Sequence, residues 1–364
     1  MSNRKRILSL LATASLVLLL VQPKCLAQNS PVGRPAQAIV GAGQNVLNSG
    51  SSAVSMIAGP VTIEDLVDCE SVQIRPQDEV WIINARDSHC SPCSLESVRV
   101  QRYCDQCWQE STLSDLTAEH LNRPELETVI YVHGNQTDQQ YSISRGLRLY
   151  NNVFYCGTDT PIRFVIFQWK SEKEISRTLQ DYFVKSKRAI EIGRTLALVL
   201  QQFQNRNLTV IGYSLGTQVI VTAMREPTAE EAMNADRGYR LALIAPALDC
   251  DYSNRLGGCC LEFGSQVEHS QVFLNRCDRA LKLSEMICRK KYGRHAIGFE
   301  DVVDSSLVSL GMVEKFEVGA ETGKKHSINR YSESPTLQCA INRLVSEGQT
   351  SVEIVAPAES PSSP

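Results

Sequence analysis

Leu208-Thr-Val-Ile-Gly212-Tyr213-Ser214-Leu215-Gly216 is the stretch that decides the fold. Its first residues are apolar or β-branched and read as a strand, while Leu215 to Met224 reads as a helix. A bare G-x-S-x-G arises by chance in about one chain in ten of this length, so its context carries the weight. A sharp strand-to-helix turn needs small residues on both sides, so that a strained serine backbone fits and its hydroxyl projects above a sheet. The alternative is a glycine-rich turn with an incidental serine.

Working outward, strands and helices alternate. Thr128-Val-Ile-Tyr-Val132 predicts a strand, about Asp138 to Asn151 a helix, and Arg163-Phe-Val-Ile-Phe-Gln168 a second strand. Ala189, Ile192, Leu196, Val199 and Phe203 recur at helical spacing and give a helix one buried face. Arg240–Ile244, Gln271–Asn275 and Glu314–Val318 read as further strands, and a helix begins near Ala280. Strands joined by crossover helices imply an α/β fold, a mostly parallel sheet with helices on both faces. Ahead of it, Val80-Trp-Ile-Ile83 and the alternation from Val98 to Tyr103 predict two strands of a small cysteine-rich section.

A serine nucleophile needs backbone N–H groups aimed at the oxygen of the tetrahedral intermediate. One is expected from Leu215, the residue after the serine, and the other from the loop after an earlier strand. Tyr131-Val-His133-Gly134-Asn135 ends such a strand. Gly134 lets the backbone approach closely, Asn135 is the candidate second donor through its N–H, and His133 reads as a structural histidine holding the loop. Trp169, at the end of the next strand, is a candidate wall of the substrate pocket or a core residue.

Val-His-Gly-Asn at 132–135, Phe-Gln-Trp-Lys-Ser at 167–171 and Gly-Tyr-Ser-Leu-Gly at 212–216 resemble the serine-type α/β-hydrolases. More narrowly, the chain resembles a bacterial esterase-like or lipase-like group formerly labelled a domain of unknown function (DUF900-like). Ala245-Pro246 and the late His326-Ser327 fit the same resemblance, which covers about Val80 to Arg343. That group tends to carry Trp-Pro-Ser where this chain has Trp169-Lys170-Ser171. The resemblance implies the α/β-hydrolase fold, a serine nucleophile at Ser214, and a triad in the chain order Ser, acid, His.

Asp278 follows the strand Gln271–Asn275 and precedes a helix, which puts it at the carboxyl edge of the sheet, where ligands gather. The resembling family also has an acid there. It suits a helix N-cap equally, and Asp249 and Asp251 are rival acids. His295 and His326 follow Asp278 in sequence; His295 lies in the basic run Arg289–His295, and His326 just beyond the last strand is the expected general base. Chemistry of this type requires no metal and no cofactor. The expected function is an exported serine hydrolase cleaving an ester or related small-molecule acyl bond; the alternative is a non-catalytic module of the same fold at the cell surface.

The chain has 364 residues, 43% of them hydrophobic and 21% charged, with a formal net charge of −3. That composition excludes collagen, coiled coil and full disorder. Arg4, Lys5 and Arg6 precede the uncharged run Ile7–Val21 and a Cys25-Leu-Ala27 stretch, which reads as a secretory leader cleaved after Ala27 and placing the protein outside the cytoplasm, secreted or periplasmic. Fifteen apolar residues fall short of the roughly 20 that span a bilayer, so no stable membrane span is expected. Cleavage removes four basic residues and no acidic one, and no basic stripe is left for nucleic acid.

The expected organisation is a leader at 1–27, a flexible linker at 28–60, the cysteine-rich section at 61–123, the hydrolase domain at 124–346 and a disordered tail at 347–364. The 13 cysteines drop to an even number once Cys25 leaves, which in an oxidising compartment predicts disulfides. Cys90-Ser-Pro-Cys93 and Cys104-Asp-Gln-Cys107 suit either disulfides or a four-thiolate zinc site. The section carrying them is a candidate contact for a protein or cell-envelope partner.

Overall fold

Strands buried on both faces read as near-continuous apolar runs, and Glu127–Val132, Ile162–Gln168, Leu208–Tyr213 and Tyr239–Ile244 are buried at every position. They form the centre of the sheet in the computed structural model, which describes residues 73–88, 94–203, 208–225, 238–248, 267–292, 298–299 and 312–350. The strands are β1 (Glu79–Asn84), β2 (Arg99–Cys104), β3 (Cys107–Ser111), β4 (Glu127–Val132), β5 (Ile162–Gln168), β6 (Leu208–Tyr213), β7 (Tyr239–Ile244), β8 (Val267–Leu274) and β9 (Val313–Glu317). Their spatial order is β3-β2-β1-β5-β4-β6-β7-β8-β9. Neighbours from β1 to β9 are parallel, and β2 and β3 add an antiparallel hairpin at one edge.

Eight α-helices are described: α1 (Leu113–Asn122), α2 (Gln139–Tyr150), which a π-helical turn at Asn151–Tyr155 continues, α3 (Thr178–Gln201), α4 (Gly216–Arg225), α5 (Arg279–Tyr292), α6 (Gly319–Thr322), α7 (Ile328–Ser332) and α8 (Pro335–Thr350). On one face of the sheet, Ile130, Val132 and Val210 share a core with Leu116 of α1, Ile192 and Leu196 of α3 and Val219 of α4. On the other, Val129, Tyr131 and Ile211 pack with Leu147 of α2 and Leu337, Ile341 and Leu344 of α8. Alternate residues of β4 thus point to opposite cores, as the pleat requires. Helix α8 runs through Thr350, past residue 347 where an unstructured tail was expected.

The cysteine-rich section does not stand apart. Strand β1 pairs with β5 from Glu79↔Arg163 to Asn84↔Gln168, so its strands extend the hydrolase sheet. Glu79 reinforces the join: its buried carboxylate accepts from Arg163 Nε at 2.8 Å, Arg123 at 2.9 Å and Arg102 at 3.1 Å. Burial pushes its pKa up, but the arginines outweigh that effect and hold it below the usual carboxylate range.

Cys104 and Cys107 face one another across a two-residue hairpin whose central residues, Asp105 and Gln106, have φ of 51° and 63°. That is the twist-matched geometry of a tight β-hairpin. Both cysteines are free, as are Cys156, Cys277 and Cys339. The disulfides expected from the cysteine count therefore do not occur at these five positions. Cys69, Cys90, Cys93, Cys250, Cys259 and Cys260 lie outside the described residues.

From β4 the chain crosses by α2 to β5 on one side, while β6 lies on the other side of β4. This reversal of strand order leaves a crevice above the carboxyl ends of β4 and β6, where ligands bind in open α/β sheets.

Candidate active site

Ser214 follows β6 with φ of 53°, a left-handed conformation that costs a non-glycine residue on the order of 1–2 kcal/mol. Its neighbours hold it there. The Ser214 N–H donates to the Ile244 carbonyl at 2.9 Å, and its own carbonyl accepts from Thr217 N at 3.1 Å, Thr217 Oγ1 at 2.6 Å and Ala247 N at 3.3 Å. Two residues on, a Cβ at Gly216 would sit 2.3 Å from the Val132 carbonyl oxygen and 2.6 Å from that of His133. The second glycine of the motif is therefore the contact that lets the elbow rest against the end of β4.

Across the crevice, a Cβ at Gly134 would lie 3.0 Å from the Ser214 Cβ, so the β4 loop approaches the serine at closest packing. Asn135 follows it. Among the described residues, no backbone carbonyl accepts from the Asn135 or the Leu215 N–H. The Asn135 side-chain amide is also buried without a hydrogen-bond partner.

The loop is shaped by side chains. His133 Nδ1 is 3.0 Å from the Gly134 carbonyl, and the Trp169 N–H donates to His133 Nε2 at 3.2 Å. These partners require the proton on Nδ1 and a neutral ring. Burial drives the pKa of His133 down to about 3, overcoming the bond to Gly134 that raises it. His133 is thus the structural histidine expected. Trp169 is wholly buried, stacks on His133 with ring centroids 5.7 Å apart, and donates its indole N–H to the His133 carbonyl at 2.8 Å. It braces the loop, which favours the core reading of this residue over the pocket-wall reading. Ser171 completes the brace: its Oγ lies 3.0 Å from the Gly134 and Thr137 carbonyls, and its carbonyl accepts from Gln136 N at 2.8 Å. Lysine in place of the usual proline at position 170 leaves that role of the serine intact.

Asp278 and His326 meet Ser214 from the far side. His326 Nε2 is 2.7 Å from Ser214 Oγ, and His326 Nδ1 is 2.7 Å from Asp278 Oδ2. The carboxylate fixes the proton on Nδ1 and turns the Nε2 lone pair toward the serine hydroxyl. The other oxygen, Oδ1, accepts from Ala280 N at 2.8 Å and Leu281 N at 3.2 Å, so Asp278 caps α5 as well. Burial of Asp278 disfavours its charge, but His326, Tyr331 and the Leu281 amide together hold its pKa below the usual aspartate value. The rival candidates Asp249, Asp251 and His295 lie outside the described residues.

Several supporting residues carried no sequence signal. Asn275 ties the His326 loop down through Thr322 Oγ1 at 2.8 Å and the Gly323 carbonyl at 3.0 Å. Tyr213 stacks on His326 with centroids 5.1 Å apart, and the Tyr331 hydroxyl donates to Asp278 Oδ2 at 2.8 Å. The asparagine at the end of β8 was the one hint available, since a polar residue closing an apolar strand usually anchors a loop.

The family model "Alpha/beta hydrolase of unknown function (DUF900)" matches residues 109–341. The chain belongs to this family. The DUF900 match runs from Gln109 in β3 to Ile341 in α8 and includes Ser214, Asp278 and His326. Among solved structures, this DUF900 chain is similar to a Trichoderma reesei cutinase in complex with a C11Y4 phosphonate inhibitor, at 12% identity and a TM-score of 0.30, with 64% of this chain and 84% of that one covered. No curated protein matches it. Among the described residues, no helix is long and apolar enough to cross a membrane.

Proposed function

We propose that this α/β-hydrolase is a serine hydrolase that cleaves an ester or related acyl bond through an acyl-enzyme on Ser214. The observation that carries the reading is the His326 imidazole, 2.7 Å from Ser214 Oγ on one side and 2.7 Å from Asp278 Oδ2 on the other. In this scheme Ser214 Oγ attacks the substrate carbonyl carbon while His326 Nε2 takes the hydroxyl proton. The Leu215 and Asn135 N–H groups receive the developing oxyanion. Collapse expels the leaving alcohol, which takes the proton from His326 and leaves the acyl group on Ser214. Water then attacks the acyl carbon, giving its proton to His326, and the second collapse frees the acid and returns the proton to Ser214. Asp278 keeps the Nδ1 tautomer and stabilises the imidazolium in both halves. The leader read at residues 1–27 supports action outside the cytoplasm, with a mature chain starting at Gln28.

Incubation of the full chain with a fluorophosphonate probe tests the reading. A single adduct mapped to Ser214 in the wild type, and none in Ser214→Ala, is the expected result. A folded wild-type protein that takes up no probe would sink it and favour a binding module of the same fold.

A further inference from the structure

We infer that Tyr331 is a positioning residue for the reaction, its hydroxyl giving the catalytic-acid oxygen of Asp278 a second hydrogen bond beside that of His326. The inference rests on the serine-hydrolase reading above.

Asp278 Oδ2 accepts from His326 Nδ1 at 2.7 Å and from Tyr331 Oη at 2.8 Å, while Oδ1 accepts the two α5 amides. Those four donors fix the plane of the carboxylate. With one donor on Oδ2 the carboxyl group could still turn to follow the imidazole; with two, the oxygen is pinned between them. Tyr331 is wholly buried within the apolar core that also holds Ile328, Leu337 and Ile341. Phenylalanine would fill that volume without the cost of burying a hydroxyl, so the hydroxyl marks a polar task. Burial and the adjacent Asp278 charge raise the Tyr331 pKa well above its usual value, so it stays protonated and a donor.

Tyr331 and His326 are five residues apart on one segment, joined by the short helix α7. The Tyr213 ring lies against both, 5.1 Å from His326 and 6.0 Å from Tyr331 between centroids. Tyr213 directly precedes Ser214, so one aromatic cluster links nucleophile, base and acid.

Other titratable groups stand on the elements around Asp278: Arg279 and Lys282 on α5, Lys324 and Lys325 beside His326, and Cys277 next to Asp278 itself. These side chains are exposed, so water screens them, while the buried Glu285 stands two turns further along α5 from Asp278. Tyr331 acts at contact distance. Removing its hydroxyl leaves the Oδ2 charge to His326 alone, which strengthens that ion pair and makes the imidazolium harder to deprotonate. It also frees the carboxylate to rotate. The two effects predict a slower reaction and an acid limb displaced to higher pH.

The test measures the second-order rate of fluorophosphonate labelling of the full chain across pH, for wild type and Tyr331→Phe. The expected result is about a tenfold lower plateau rate and an acid limb moved up by about half a pH unit, with the labelled fraction still reaching completion. Complete labelling with an unmoved limb and a plateau within twofold of wild type would overturn the inference, as would a lower plateau with an unmoved limb, which a purely structural role predicts. A wild-type protein that never labels indicts the hydrolase reading instead. Should Tyr331→Phe fail to fold, 3-fluorotyrosine placed at 331 keeps the hydroxyl and makes it a stronger donor. The limb must then move to lower pH, and a limb that stays put or rises overturns the inference.

Discussion

Asp278 holds His326 with one carboxylate oxygen and caps helix α5 with the other. Two readings that compete in the sequence, catalytic acid and N-cap, are thus one arrangement: the cap fixes the carboxylate in the orientation that the imidazole needs.

The two tasks separate by substitution. Asparagine caps a helix as well as aspartate does, but it cannot stabilise an imidazolium or enforce the Nδ1 tautomer. Asp278→Asn should therefore lower the labelling rate by about 10³–10⁴-fold and leave the thermal midpoint within a few degrees of wild type. Asp278→Ala should add a loss of about 1 kcal/mol from the missing cap. Labelling kinetics and thermal unfolding of the two variants, run side by side, check the separation.

Ser214 adopts φ of 53°, which glycine reaches without steric cost. Ser214→Gly should abolish labelling and raise stability by about 1 kcal/mol, whereas Ser214→Ala should abolish labelling with no such gain, because alanine keeps its Cβ. Urea midpoints that coincide for the two variants would show that the elbow stores no strain.

Much of this was legible in the sequence, and the reason is physical. Central parallel strands are rich in apolar, β-branched residues, so β4 through β8 stand out as runs, and the elbow and its partners lie at the ends of those runs. Asp278 and His326 could be chosen because they follow strands. What escaped lies where periodicity carries no information. Strand β3, Cys107-Trp-Gln-Glu-Ser111, is a polar edge strand with no buried residue, and nothing in its pattern announces pairing. The attachment of β1 to β5 is a contact across 84 residues, set by Glu79 and Arg163 meeting in space. Tyr331 and Asn275 act through side-chain hydrogen bonds that no spacing rule encodes. Trp169 stayed open between two readings because the end of a strand can belong to the pocket or to the brace behind it, and its burial favours the brace.

That brace can be tested alone. Trp169→Phe keeps the stack on His133 but loses the indole N–H bond to the His133 carbonyl. Since that carbonyl directly precedes Gly134, the expected effect is a roughly tenfold slower labelling rate with unchanged preference among probes of different acyl length. A change in chain-length preference would return Trp169 to the pocket wall.

His133 gives the fold a pH dependence of definite sign. Buried and neutral, it has a folded pKa of about 3, against roughly 6.5 in the unfolded chain. Between those values the unfolded state binds the proton and the native state does not, so stability falls as the pH drops from about 6.5 toward 3 and is fully retained above 6.5. One such proton contributes a slope of about 1.4 kcal/mol per pH unit. Across the window it amounts to roughly 5 kcal/mol, comparable with the whole stability of a marginal domain. Burial pushes the Glu127 carboxyl up to about 7, which adds a slope of opposite sign between about pH 7 and 4.5, so the histidine's share is read from the difference between the wild type and a variant that keeps Glu127. His133→Gln, which does not titrate there, should be less stable at neutral pH because it breaks the bond from Trp169 N–H, yet the gap to the wild type should narrow by about 1.4 kcal/mol per pH unit between pH 6.5 and 5. Urea unfolding at four pH values measures both slopes, and parallel lines for the two proteins would mean that His133 is not the buried neutral group that the Trp169 and Gly134 contacts require.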